Sequence, residues 1–172
     1  NKIRKDSLQS IKSWQFTYEN QHDFSTQKPN KTDFDCEAMV CFGDYLYLFT
    51  KEWTSQKTRI YKLLKSGEDG VAKYVSSFDV AGLITDATFL PEKNLLVLLG
   101  YSNKINPFIY VFYDFEGDNF FGANKRKINL KANFHQTEGI ATKDGLTYFV
   151  TNEKLRHLNG LIDVKPQIHV LD

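Results

Sequence analysis

The chain has 172 residues, 22 lysines and arginines against 21 aspartates and glutamates, and is 41% hydrophobic and 15% aromatic. That apolar and aromatic content excludes a disordered tail, and a formal charge of +1 gives no electrostatic footing for nucleic acid or an acidic membrane surface. The longest uncharged apolar runs, Leu95 to Leu99 and Phe108 to Tyr113, are strand-sized and far short of a membrane span.

In chain order, Lys2-Ile3-Arg4 reads as a third strand and Trp14-Gln15-Phe16-Thr17-Tyr18 as a fourth, so residues 1–20 are expected to form a partial unit. The polar segment Asn20 to Asp35, with Pro29, reads as a solvated connection on a rim, and Asn30-Lys31-Thr32 formally fits a glycosylation sequon. A complete unit follows over 36–80. Glu37-Ala38-Met39 opens a strand, Gly43-Asp44 turns, and Tyr45 to Phe49, Ile60 to Leu63 and Tyr74 to Val80 supply three more strands. The next unit, 85–130, repeats the order with Asp86-Ala87-Thr88, the turn Pro91 to Asn94, Leu95 to Leu99, Ile109 to Phe112 and Lys127 to Leu130. A partial unit over 136–172 begins at Glu138-Gly139-Ile140, turns at Lys143-Asp144-Gly145, and continues as Leu146 to Val150 and Ile168 to Leu171; Glu153 to Lys165 lengthens the loop between those two strands.

Four strands per unit with a period of about fifty residues predict a β-propeller, a ring of radially arranged blades. The chain opens and closes inside a blade. Apolar faces at the ends, with Trp14 and Phe16 on one side and Tyr148 and Val150 on the other, are therefore expected to be covered by the remainder of the propeller or by a protein partner.

The first strand of each propeller blade lines the central channel, which places Glu37, Asp86 and Glu138 at matched heights around one axis; Asp35, Thr85 and His135 beside them complete the channel-lining set. Carboxylates converging there could hold calcium, which takes six to eight oxygen ligands, or a polar substrate. The commoner fate of such a carboxylate is to accept backbone N–H bonds or face channel water. His135 lies three residues before Glu138 and could form an acid/base pair with it only if the strand bulges. Cys36 and Cys41, five positions apart on a strand, are expected to point to opposite faces and act as small buried hydrophobes. Lys125-Arg126-Lys127 reads as a solvated hairpin, and His22, His157 and His169 lack metal-ligand spacing.

The runs Asp33-Phe34-Asp35-Cys36-Glu37-Ala38, Tyr47-Leu48-Phe49-Thr50-Lys51, Leu83-Ile84-Thr85-Asp86-Ala87, Gly122-Ala123-Asn124-Lys125-Arg126 and His135-Gln136-Thr137-Glu138-Gly139-Ile140 resemble secreted β-propeller proteins of Bacteroidota, many of which end in a type IX secretion sorting domain. A looser likeness extends to six-bladed propellers of the esterase-like phytase and SdiA-regulated kind. The resemblance implies about half of a six-bladed ring, exported to the outer cell surface or beyond. Three functional classes follow. A non-catalytic binding or scaffold module leads, because no recognisable nucleophile is present. A calcium-assisted hydrolase of the phosphatase, phytase or lactonase sort, and a subunit of a cell-envelope assembly, are the alternatives.

Overall fold

β-branched and aromatic residues recur in runs of five to nine along the chain, separated by Gly, Asn, Asp and Pro turns, and such runs pair edge to edge rather than coil. The computed structural model describes residue 13 and residues 15–25, 27–68 and 70–172, and among these the protein is all-β, with only three single 3₁₀ turns. Lys2-Ile3-Arg4 and Trp14, which anchor the expected partial unit over 1–20, lie outside the described residues.

Three sheets carry the fold. The first is β1 (Thr17–Tyr18), β2 (Asp35–Phe42), β3 (Tyr45–Lys51), β4 (Lys57–Leu64) and β5 (Val71–Asp79), in spatial order β1-β5-β4-β3-β2. The second is the antiparallel meander β6 (Leu83–Leu90), β7 (Leu95–Tyr101), β8 (Pro107–Tyr113) and β9 (Asn124–Asn129). The third joins β10 (Thr137–Thr142), β11 (Tyr148–Asn152) and β14 (Gln167–Leu171). The segment expected to be a long loop folds into its own hairpin, β12 (Leu155–His157) on β13 (Ile162–Val164), because Leu155 and Ile162 give it short apolar strands and Asn159-Gly160 supply two positive-φ residues for the turn.

β7 shows why the sheets stack. It is apolar on both sides, and the strand period of two sends alternate residues to opposite faces. Leu96 and Leu98 join Phe49, Ile60, Phe112 and Phe120 in the core shared with the first sheet. Val97 and Leu99 pack with Ile140, Tyr148 and Val150 of the third. Aromatic rings fill most of the first interface: Phe120 contacts Phe42, Tyr47, Phe89 and Phe115 at centroid distances of 6.3, 5.2, 5.9 and 4.9 Å.

Three expectations are corrected here. Thr17–Tyr18 runs parallel to Val71–Ala72 on the outer edge of the first sheet instead of closing a separate unit. The Tyr18 ring is buried there against Tyr61 and Phe34, 4.7 and 5.6 Å away. At the opposite end Tyr148 and Val150 are buried, and the outward residues are Phe149, Ile168 and Val170; because side chains alternate, a face misassigned by one residue inverts completely. Both cysteines are exposed. They also share a face, since Cys36 pairs with Thr50 and Cys41 with Leu46, and a β-bulge at Glu37 resets the alternation between them.

The basic cluster is not simply solvated. The Lys127 ammonium lies 4.1 Å from the Phe108 ring centroid and donates to the Val80 carbonyl at 2.9 Å, and Lys125 sits 5.3 Å from Phe78. Lys127 thus covers aromatic rings of β8 in its own sheet, and Lys125 reaches across to a ring of β5 in the first. No described helix is long and apolar enough to cross a membrane.

Candidate functional site

The opening strands β2, β6 and β10 are neighbours along one wall. Each carries a bulge at or next to its acidic residue, between Cys36 and Ala38, Ile84 and Asp86, and Thr137 and Gly139. A bulge leaves ladder groups unpaired and re-aims side chains, and the three acids meet different fates.

Asp86 bridges sheets. Its Oδ2 accepts the Ile140 N–H at 2.7 Å, while the neighbouring Thr85 hydroxyl donates to the Thr137 carbonyl at 2.8 Å, so both residues stitch β6 to β10. Burial pushes the Asp86 carboxyl above its usual range, against the pull of the Ile140 and Ala87 N–H groups.

Glu37 pairs with a cation whose charge also acts on Glu138. Lys51, at the end of β3, has a side chain only 4% exposed, and its Nζ meets Glu37 Oε1 at 3.0 Å. The same ammonium lies 4.8 Å from the Trp53 ring centroid and 5.6 Å from that of Tyr101. Burial acts to lower the Lys51 pKa, but the Glu37 hydrogen bond and the charges of Tyr101, Glu37 and Glu138 outweigh it and hold the group above its usual value. Glu138 moves up: burial dominates, and Lys51 only partly offsets it. Tyr101 is likewise raised by burial. Lys51, Glu37 and Trp53 come from the first sheet and its following turn, Tyr101 from the second and Glu138 from the third, so one ammonium gathers side chains from all three.

Asp35 accepts a hydrogen bond from Trp53 Nε1 at 3.1 Å and holds that ring in place. His135 does not reach Glu138. Its Nδ1 meets the Asn133 carbonyl at 2.9 Å and its Nε2 meets Gln167 Oε1 at 3.2 Å, with the His169 ring edge-on at 5.0 Å. Among the described residues no three His, Cys, Asp or Glu side chains come together as a metal-ligand group. Of the residues expected at a calcium site, Glu37 is engaged through one oxygen by an ammonium and Asp86 through one oxygen by a backbone N–H.

Beside this cluster opens a cavity of about 340 Å³. The Trp53 and Tyr101 rings line it together with the amides of Asn30, Gln56, Asn103 and Gln136. The connection Asn20 to Asp35 contributes Asn30 and is fastened to the rim: Thr32 accepts the Trp53 N–H at 3.2 Å, and Asp33 Oδ1 accepts the Thr54 and Ser55 N–H groups at 2.7 and 3.3 Å. The connection is solvated along most of its length, with residues 22–25 and 27–31 exposed, and is tied down at its Thr32–Asp33 end.

Sequence reasoning missed Lys51, Trp53 and Tyr101. A signal existed: Lys51 and Tyr101 end equivalent second strands, paired with Asp35 and Leu83 at the heads of the first strands. It also missed Glu52, a fully buried carboxylate held by the Thr50 hydroxyl at 2.8 Å, the Ser55 hydroxyl and the Arg59 guanidinium at 3.4 Å. Those donors satisfy the buried charge and anchor the turn that presents Trp53. In comparisons with known proteins, no family model, no curated protein and no solved structure matches the chain.

Proposed function

We propose that the protein is a non-catalytic binding module of β-propeller type, in which the three sheets are successive blades of a ring and the ligand sits at the channel mouth. Six blades, of which this chain supplies about half, and a place at the outer cell surface or beyond follow from the sequence resemblance. The single observation behind the binding reading is the cavity of about 340 Å³ beside the Lys51 cluster, with rings and amides from several sheets converging on it. Glu37 and Asp86 are engaged in holding the wall together, and the lining carries no nucleophile placed beside a base.

The test is hydrolysis of p-nitrophenyl phosphate and p-nitrophenyl acetate, with and without added calcium. The expected rate equals that of buffer alone. Turnover that disappears in Glu138→Gln would refute the non-catalytic reading and restore the hydrolase.

A second reading, an assembly subunit, has its own support. Phe149, Ile168 and Val170 are 46%, 71% and 56% exposed on the outer face of the third sheet. On the second sheet the corresponding outward face, Val97, Leu99 and Ile109, is covered by the third sheet. A further sheet of the same kind is the occupant that fits. Size-exclusion chromatography should show association that Ile168→Lys abolishes, and an Ile168→Lys variant indistinguishable from the parent would remove this reading.

A further inference from the structure

The cavity at the Lys51 cluster has a lining that narrows its ligand class. We infer that it takes the end of a neutral saccharide, an inference that rests on the binding-module reading above.

The chemistry runs from the side chains. Not one of the lining residues is charged, so nothing in the cavity is equipped to pair with a phosphate, a carboxylate or an ammonium. Lys51, behind the Trp53 and Tyr101 side chains, is buried and already bonded to Glu37, and Lys31 and Lys104, chain neighbours of Asn30, Asn103 and Ile105, are exposed and do not belong to the lining. What the lining does offer is four primary amides, Asn30, Gln56, Asn103 and Gln136, and the Ser102 hydroxyl. Amides donate and accept at once, which is what a ring of hydroxyls, each also donor and acceptor, requires. Trp53 and Tyr101 add aromatic surface. A sugar ring is apolar on its C–H faces and polar around its edge, and aromatic platforms ringed by amides complement both. At about 340 Å³ the space is at the small end of ligand pockets, enough for a glycan terminus but not for a long chain lying flat.

A second observation points the same way. Eight non-glycine residues among those described have positive φ, and three of them, Asn30 at 59°, Gln56 at 56° and Ile105 at 55°, line this cavity. For β-branched Ile105 that conformation is a genuine outlier. Strained backbone persists only where the surroundings enforce it, and it concentrates at ligand-clamping sites. Here the strain is local to the loops that present the amides, and Gln56 is further fixed by the Gly82 N–H donating to its carbonyl at 3.2 Å.

The test uses the full chain carrying Trp14→Phe, which leaves Trp53 as the sole tryptophan and makes its fluorescence the readout. The probes are cellotriose, xylotriose, mannotriose and chitotriose as neutral sugars, trigalacturonate as an anionic one, and tetra-alanine amide as a peptide. At least one neutral trisaccharide should change Trp53 emission saturably. Gln136→Ala and Asn103→Ala, both removing a side chain from the solvent-facing rim, should each weaken that binding about tenfold through lost hydrogen bonds. The inference is overturned if no neutral sugar binds, or if one binds with affinity unchanged in both variants. Binding of trigalacturonate or the peptide alone, with the same dependence on Gln136 and Asn103, overturns the ligand class while keeping a binding module; loss of the binding-module reading itself is read separately, as turnover in the hydrolysis assay.

Discussion

Replacing Lys51 with methionine separates the charge of the central ammonium from its volume. The methionine thioether fills most of the space and makes favourable contacts with Trp53 and Tyr101, so the cavity contribution is small. What is lost is the cation that pairs with Glu37 and acts on Glu138. Removing one partner of a buried ion pair costs about 3–5 kcal/mol, but the Glu37 side chain is 31% exposed and keeps part of its hydration, which lowers the expected loss to about 2–3 kcal/mol. With a urea slope of about 2 kcal/mol/M, the unfolding midpoint should fall by roughly 1 to 1.5 M.

The pH dependence makes this prediction specific. Glu138 sits above the ordinary carboxylate range in the fold because burial outweighs Lys51. Between its unfolded and folded pKa values the folded chain therefore holds a proton that the unfolded chain has released, and stability falls as pH rises through that window. Without Lys51 the folded value rises further and the window widens. The deficit of Lys51→Met is therefore complete above the raised folded value and shrinks as pH drops through it; below about 4.3, the ordinary Glu value, Glu138 is mostly protonated in the folded and the unfolded state alike. Adding Glu138→Gln to Lys51→Met should recover part of the loss. A deficit below about 0.5 kcal/mol, or one that stays constant down to about pH 4.5, would refute the view that Lys51 is held by these acids.

Phe120→Ala should destabilise the fold by about 3–5 kcal/mol, since the fully buried ring contacts four others, and a chemical denaturation midpoint close to the parent's would contradict the aromatic interface. Gly100→Ala would drive a methyl group onto the Leu83 carbonyl in the β6–β7 ladder, where only backbone movement can relieve it; a loss of about 2 kcal/mol or more is expected, measured as a drop in Tm. His169 is held below its usual value, first by burial and then by the neighbouring His135. The unfolded state therefore binds the extra proton, stability declines as pH falls through about 6.5, and His169→Gln should flatten that decline in urea titrations.

The strand plan was largely legible because period-two apolar runs and turn residues are local signals. Tyr45 to Phe49, Leu95 to Leu99, Ile60 to Leu63 and Ile109 to Phe112 all fall inside observed strands. The hairpin at Leu155 and Ile162 was not, because strands of three residues are too short for alternation to register. The bulges were invisible for a different reason. They depend on pairing across strands, and each inverts the facing of every residue before it, which is why the cysteines were placed on opposite faces. In the candidate site, the acids Glu37 and Glu138 announced themselves by repetition, whereas Lys51 and Tyr101 did not, because their chemistry differs although their strand positions correspond.

That difference explains how a repeated frame comes to hold a single site. A bulge in each opening strand creates unpaired donors, and an acid beside it is a solution available to every unit. In the second unit the acid spends its acceptor on the Ile140 N–H and becomes a staple between sheets. In the first, the acid pairs with the ammonium at position 51, whose charge also acts on the acid of the third. The corresponding position 101 carries a tyrosine that contributes a ring to the same cluster, and one step earlier along the third unit's second strand Asn152 donates to the Glu153 and Lys165 carbonyls at 2.8 and 3.0 Å. Lys51 and Tyr101 thus perform two tasks at one strand position, cation and aromatic wall. Backbone repetition supplies the wall, and the divergence of these side chains concentrates polarity and aromatic surface at one mouth of it. A lysine at both positions would have put like charges close together, where mutual repulsion destabilises the fold; a single lysine paired with Glu37 satisfies the electrostatics and leaves the lining of the adjoining cavity uncharged.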